Sequence, residues 1–177
     1  MAAAFDVYID TGATPTGASL TNLRFNVADD NDQDTGNPVP IPGAGTNYSY
    51  WKHIYLRCTT APSVQCDNFK FYSDGAAMDT GTLIKVSTNE VDNDTEYDQA
   101  DTASEMVANH TGVTTSADVN NYTSGGSQLS MTVVPGDNII DAVSEETDYL
   151  VFQLEVGTTA SPGQMTSKTM TIQYDEI

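Results

Sequence analysis

Residues 47–75, NYSYWKHIYLRCTTAPSVQCDNFKFYSDG, contain the chain's only tryptophan, both of its cysteines and three of its six basic side chains. Two aromatic and aliphatic runs, 48–57 and 69–72, flank a small polar loop with a proline, which predicts two strands joined as a hairpin-like pair. Successive side chains of a strand alternate across it. Ile54 and Leu56 therefore share one side of the first strand, and Trp51, His53, Tyr55 and Arg57 share the other. On the second strand Phe69 and Phe71 point one way, Lys70 and Tyr72 the other. The pair thus has an apolar face and an aromatic, basic face. The second has the Trp, Tyr and Arg enrichment of binding hot spots, unless a loop covers it.

Outward from this pair the two-residue period recurs. Phe5, Val7 and Ile9 alternate with Asp6 and Tyr8, and Leu23, Phe25 and Val27 alternate with Asn22, Arg24 and Asn26. Residues 83–87, 130–134, 150–156 and 169–174 read the same way, with 150–156 the clearest. Helical character is confined to 101–110 and 139–146. About eight short strands separated by Gly, Pro, Asn and Asp predict an all-β antiparallel β-sandwich, jelly-roll or Ig-like. The inward set is Phe5, Val7, Leu23, Phe25, Ile54, Leu56, Phe69, Phe71, Leu83, Met131, Val133, Leu150, Phe152, Leu154, Met170 and Ile172. Residues 1–177 read as a single domain with two departures. One is an acidic, proline-rich arm at 29–46, where Pro38, Pro40 and Pro42 exclude helix. The other is a long irregular region at 89–127.

Twenty-five Asp and Glu against six Lys and Arg give a net charge of −19, and no Lys or Arg lies between Lys85 and Lys168. Such a chain is a poor match for a phosphate backbone, so nucleic acid is not an expected partner. The sequence shows no signal-peptide pattern at 1–12 and no apolar run near the roughly 20 residues that span a bilayer, so neither export nor a membrane is expected. Cys58 and Cys66 bracket a seven-residue loop. They are either reduced thiols or a bridge.

Three Asp-Thr-Gly triplets begin at Asp10, Asp34 and Asp79. Aspartic proteases use that triplet, but each copy here falls where a turn is expected, and the two-lobed form needs a longer chain. Asp30, Asp32 and Asp34, at every second position, resemble the start of a calcium loop. Gly36 is one place late for that loop and its twelfth position is Ile41, so the three form at most a weak cation site. No cofactor and no catalytic set is expected.

The stretch NLRFNVADDNDQDTGNPVPIPGAGTNYSYWKHIYLR, then DNFKFYSDG, resembles virion structural proteins of tailed phages. The shared features are an Asn-x-basic-Phe strand, an acidic arm ending in NPxPIP, a Tyr-rich strand beside a basic residue and an FYSDG-like turn. The C-terminal YLVFQLEVGTTASPGQMTSKTMTIQYDEI is similar in style. This resemblance implies a non-enzymatic virion protein, a capsid decoration or cement protein or a head or tail accessory protein, made in the host cytoplasm. Its partners would be capsid or other virion proteins and copies of itself. The alternative is a carbohydrate-binding or cell-surface adhesion module, using exposed Trp and Tyr.

Overall fold

The computed structural model describes residues 2–33, 36–88, 97–133 and 138–177. Its elements are β1 (Ala4–Asp10), β2 (Ala18–Ser19), β3 (Thr46–Tyr48), β4 (Lys52–Thr60), β5 (Cys66–Ser73) and β6 (Thr82–Thr88). There follow a single helical turn α1 (Met106–Asn109), β7 (Ala117–Asp118), a 3-10 turn (Val119–Asn121), β8 (Leu129–Ser130), β9 (Leu150–Gly157) and β10 (Met170–Glu176). The larger sheet runs β2-β1-β4-β9-β6-β7, with β3 also on β9, and the smaller runs β10-β5-β8. Strand makes up 37% of the described residues against 4% helix, and the two antiparallel sheets pack together, so the fold is a β-sandwich.

The alternation of 150–156 places β9 at the centre. Leu150, Phe152, Leu154 and Val156 enter the core between the sheets, while Val151 and Gln153, on the opposite face, are equally buried. From β4 the core receives Ile54, Leu56 and Cys58, and from β5 it receives Phe69 and Phe71. Phe71 meets Phe152 edge-on at 5.4 Å, a favoured aromatic geometry. Between β3 and β4 the ladder on β9 is carried by Ser49. Its N–H donates to Leu154 O at 2.8 Å, and its hydroxyl accepts from Leu154 N at 2.9 Å. A side-chain oxygen there replaces a carbonyl, which keeps a buried amide satisfied through the break.

Several expectations are corrected. β4 and β5 do not pair with each other: β4 lies between β1 and β9, and β5 between β10 and β8. The connection through Pro62 crosses from one sheet to the other, so the strands keep their apolar faces together but turn their other faces in opposite directions. Residues 22–27 form no strand. Leu23 and Phe25 pack against the core, but the backbone bonds elsewhere, Arg24 N to Asn31 Oδ1 and Val27 N to Asn37 O. In β6 the buried apolar residues are Ile84 and Val86; Leu83, one place out of register, sits opposite Glu155 on the other face. The stretch 139–146 is not helical; the Glu145 carboxylate closes a turn by accepting from Asp141 N and Ala142 N. Of the strand expected at 130–134, β8 keeps Ser130 and Val133 bridges to Thr147; Val134 lies outside the described residues.

Candidate functional site

Trp51, His53 and Tyr55 point away from the sandwich core, as alternation requires, yet each is only 1–2% exposed. Residues 97–113 cover Trp51 and His53, while Tyr55 is closed in by Tyr8, Tyr149 and the loop at Gly17. The indole N–H of Trp51 donates to Asp98 O at 2.6 Å, and Trp51 packs with Ala100, Met106, Val113 and Val151 in a second apolar cluster. Gln153, 1% exposed, satisfies this cover from the sheet: its amide donates to Ser49 O and Ser104 O and accepts from Met106 N.

At the centre of the covered face the two histidines of the chain meet, Nε2 to Nε2 at 2.8 Å. His110 Nδ1 accepts from Gly112 N at 3.0 Å, which leaves the proton of the neutral ring on Nε2, directed at His53 Nε2. Burial lowers the pKa of both rings, of His53 well below its ordinary value; Asp98 partly offsets this at His110. Tyr97 and Tyr149 pack on His53 at 4.7 and 5.2 Å.

Next to the histidines, Asp10 ends β1 with its carboxylate fully engaged. Oδ2 accepts from the Tyr149 hydroxyl at 2.5 Å, and Oδ1 from Gly17 N at 2.7 Å. Gly17 has a φ of +66°, and a Cβ there would lie 2.4 Å from the Tyr55 hydroxyl, so the loop closes this tightly only with glycine. Burial, then Asp10, raises the Tyr149 phenol above its ordinary pKa. Tyr97 Oη is buried and faces Asp29, but makes no hydrogen bond of normal geometry among the described residues. Arg57 lies over the Tyr8 ring at 4.6 Å and pairs with Glu146 at the rim.

The acidic loop contains an internal cation. Lys52, 1% exposed, extends its ammonium to Asn26 Oδ1 at 2.9 Å, Ala28 O at 2.7 Å and Asp30 O at 2.5 Å. Burial lowers its pKa to about 8 against the opposing pull of Asp30 and Asp29. The Asp30 carboxylate accepts from Asn26 Nδ2 and from Asp32 N, and Asp29 accepts from Gly12 N. Asp34 lies outside the described residues. Among the described residues no group of three or more His, Cys, Asp or Glu is placed to hold a metal ion. Of the Asp-Thr-Gly triplets, the first closes the loop at Asp10. In the third, Asp79 holds Thr166 N at 2.7 Å, and the second falls partly outside the described residues.

The expected aromatic, basic face is therefore not one surface. Trp51, His53 and Tyr55 are interior, Arg57 is at a rim, and Lys70 and Tyr72 lie half-buried on the outer side of β5, across the sandwich. Cys58 and Cys66 are free thiols, both buried, and burial raises the Cys66 pKa to about 11. The surface feature that remains is the arm. Val39 packs against the core while Pro38, Pro40 and Ile41 face outward, and Asn47 Nδ2 donates to Pro40 O at 2.8 Å. Beside it runs an open groove of about 390 Å³, lined by Pro40, Asn47, Tyr48, Tyr50, Asp101 and Thr102.

Sequence reasoning missed Lys52, although a signal existed: it shares parity with Ile54 and Leu56, so a lysine stands on the apolar side of a strand in a chain with an acidic loop. His110 had none, being 57 positions from His53. No family model, curated protein or solved structure matches the chain.

Proposed function

We propose that this chain is a non-enzymatic virion component, a capsid decoration or head or tail accessory protein, that docks onto other virion proteins through its proline-rich arm and the adjoining groove. The observation that carries this reading is the way the arm is set. Val39 anchors it, and Pro38, Pro40 and Ile41 form an outward ridge beside Tyr48 and Tyr50. A pre-formed, extended ridge loses little conformational entropy on binding, and tyrosines supply contact area at low entropic cost. Glu105 and Glu155 lie close enough to Tyr48 to raise its pKa after burial. The groove thus has an acidic rim, suited to a partner that presents basic side chains there. With a net charge of −19, a second copy is the poorer match.

The test is co-sedimentation of the protein with purified virions or capsids, comparing the unaltered chain with Ile41→Asp and Tyr48→Ser. Binding that weakens at least tenfold in both variants, with the fold retained, supports the proposal. Absence from particles, together with retention on a glycan array through Tyr48 and Tyr50, would replace it with the carbohydrate-binding alternative, which can no longer use the buried Trp51.

A further inference from the structure

The cover over the larger sheet is fastened partly by a bond between two imidazoles, and such a bond depends on proton count. With His110 Nδ1 accepting from Gly112 and His110 Nε2–H donating to His53 Nε2, both acceptor nitrogens of the pair are occupied. His53 then carries its own proton on Nδ1. A further proton can enter at His53 Nε2, facing the His110 N–H across 2.8 Å, or at His110 Nδ1, facing the Gly112 N–H across 3.0 Å. The first turns the bond between the rings into a repulsion between two donors; the second breaks only the Gly112 contact, and the bond between the rings then yields to a second proton at His53 Nε2.

We propose that His53 and His110 form an acid-operated latch, in which proton uptake by the pair releases the stretch of cover around His110 from the sheet and uncovers Trp51 beside the groove-lining Tyr50. Only the consequence for docking rests on the function proposed above; the opening itself does not.

The charges around the pair do not remove this dependence. Asp98, on the cover, favours an imidazolium at His110, but its carboxylate already accepts from Thr111 N. Asp10 on β1 is engaged by Tyr149 and Gly17, Asp29 by Gly12, and Glu146 by Arg57. Burial raises the pKa of the Tyr55, Tyr97 and Tyr149 phenols, which stay neutral throughout the acid range. Both rings thus stay neutral at neutral pH and the latch yields only in acid. Each proton taken up on opening changes the opening constant about tenfold per pH unit, and two change it about a hundredfold.

Trp51, the sole tryptophan, packs edge-on to His110 at 5.6 Å and reports the latch directly. Its emission is followed from about pH 8 to about pH 4.5 beside far-UV circular dichroism, in the unaltered chain and in the double variant His53→Gln, His110→Gln. The latch predicts a red shift with a midpoint below 6.5 while the β signal holds, and no shift in the variant. An unmoved emission, the same shift in the variant, or loss of the β signal at the same midpoint would each overturn it. Should the variant not fold, nuclear magnetic resonance titration of the two rings in the unaltered chain decides: their protonation and the Trp51 change must share a midpoint, and protonated rings beneath an unmoved tryptophan refute the latch. Loss of capsid binding in the docking variants leaves this transition in place, so the two proposals fail separately.

Discussion

On its inner face the larger sheet meets the smaller one through Ile54, Leu56, Phe152 and Leu154 against Phe69 and Phe71. On its outer face Trp51, His53 and Gln153 meet residues 97–113, whose only regular element among the described residues is the one turn of α1. Both faces exclude water, by different physics. The inner face relies on apolar area, which is non-directional and indifferent to pH. The outer face adds to its smaller apolar cluster around Trp51 hydrogen bonds of fixed geometry, each of which must be satisfied because its donors and acceptors have left water. The inner face should therefore tolerate changes in solution conditions and punish lost volume, whereas the outer face should respond to both.

The largest expected effect lies on the inner face. Phe152→Ala removes the ring that meets Phe71 and should cost about 3 to 5 kcal/mol in denaturant unfolding. Lys52→Met, which leaves Asn26 Oδ1, Ala28 O and Asp30 O without their shared donor, should cost about 3 kcal/mol despite adding apolar volume. If it proves neutral, the ammonium is not what holds the acidic loop.

Acid sharpens the comparison further. Both histidines have folded-state pKa values below the ordinary 6.5, so their contribution is fully present above that pH. It is lost as pH falls below 6.5, where the unfolded chain takes up protons first, by up to about 1.4 kcal/mol per pH unit for each ring. Phe152→Ala should leave that slope unchanged; melting between pH 7.5 and about 5 measures both.

In β6, Ile84→Ala should cost about 2 to 4 kcal/mol and Leu83→Ala well under half of that, which checks the register by chemical denaturation. The smallest effect concerns the thiols. Buried Cys58 and Cys66 should resist a maleimide in the native state and react only on unfolding, and a reductant should leave the melting temperature unmoved.

What the sequence made legible follows the same division. Alternation reports which side chains are buried, so β1, β4, β5, β9 and β10 and most of the inward set could be read from it. It does not report hydrogen-bond partners. Leu23 and Phe25 alternate and pack half-buried against the core without a ladder, and the 58–66 connection could as well turn within a sheet as cross between two. Leu83 and Ile84 are adjacent apolar residues, so the period alone could not choose between them. The cover was illegible because its bonds, such as His53 to His110 and Trp51 to Asp98, join residues far apart in sequence and leave no period.

The central claim is that the Trp51 and His53 side of β4 is an interior sealed by residues 97–113. Acrylamide quenching of Trp51 at neutral pH tests it most directly, since no other indole contributes. A blue-shifted emission with quenching far below that of free indole is the expected result; quenching close to that of free indole would show that this face is open to solvent and contradict the account.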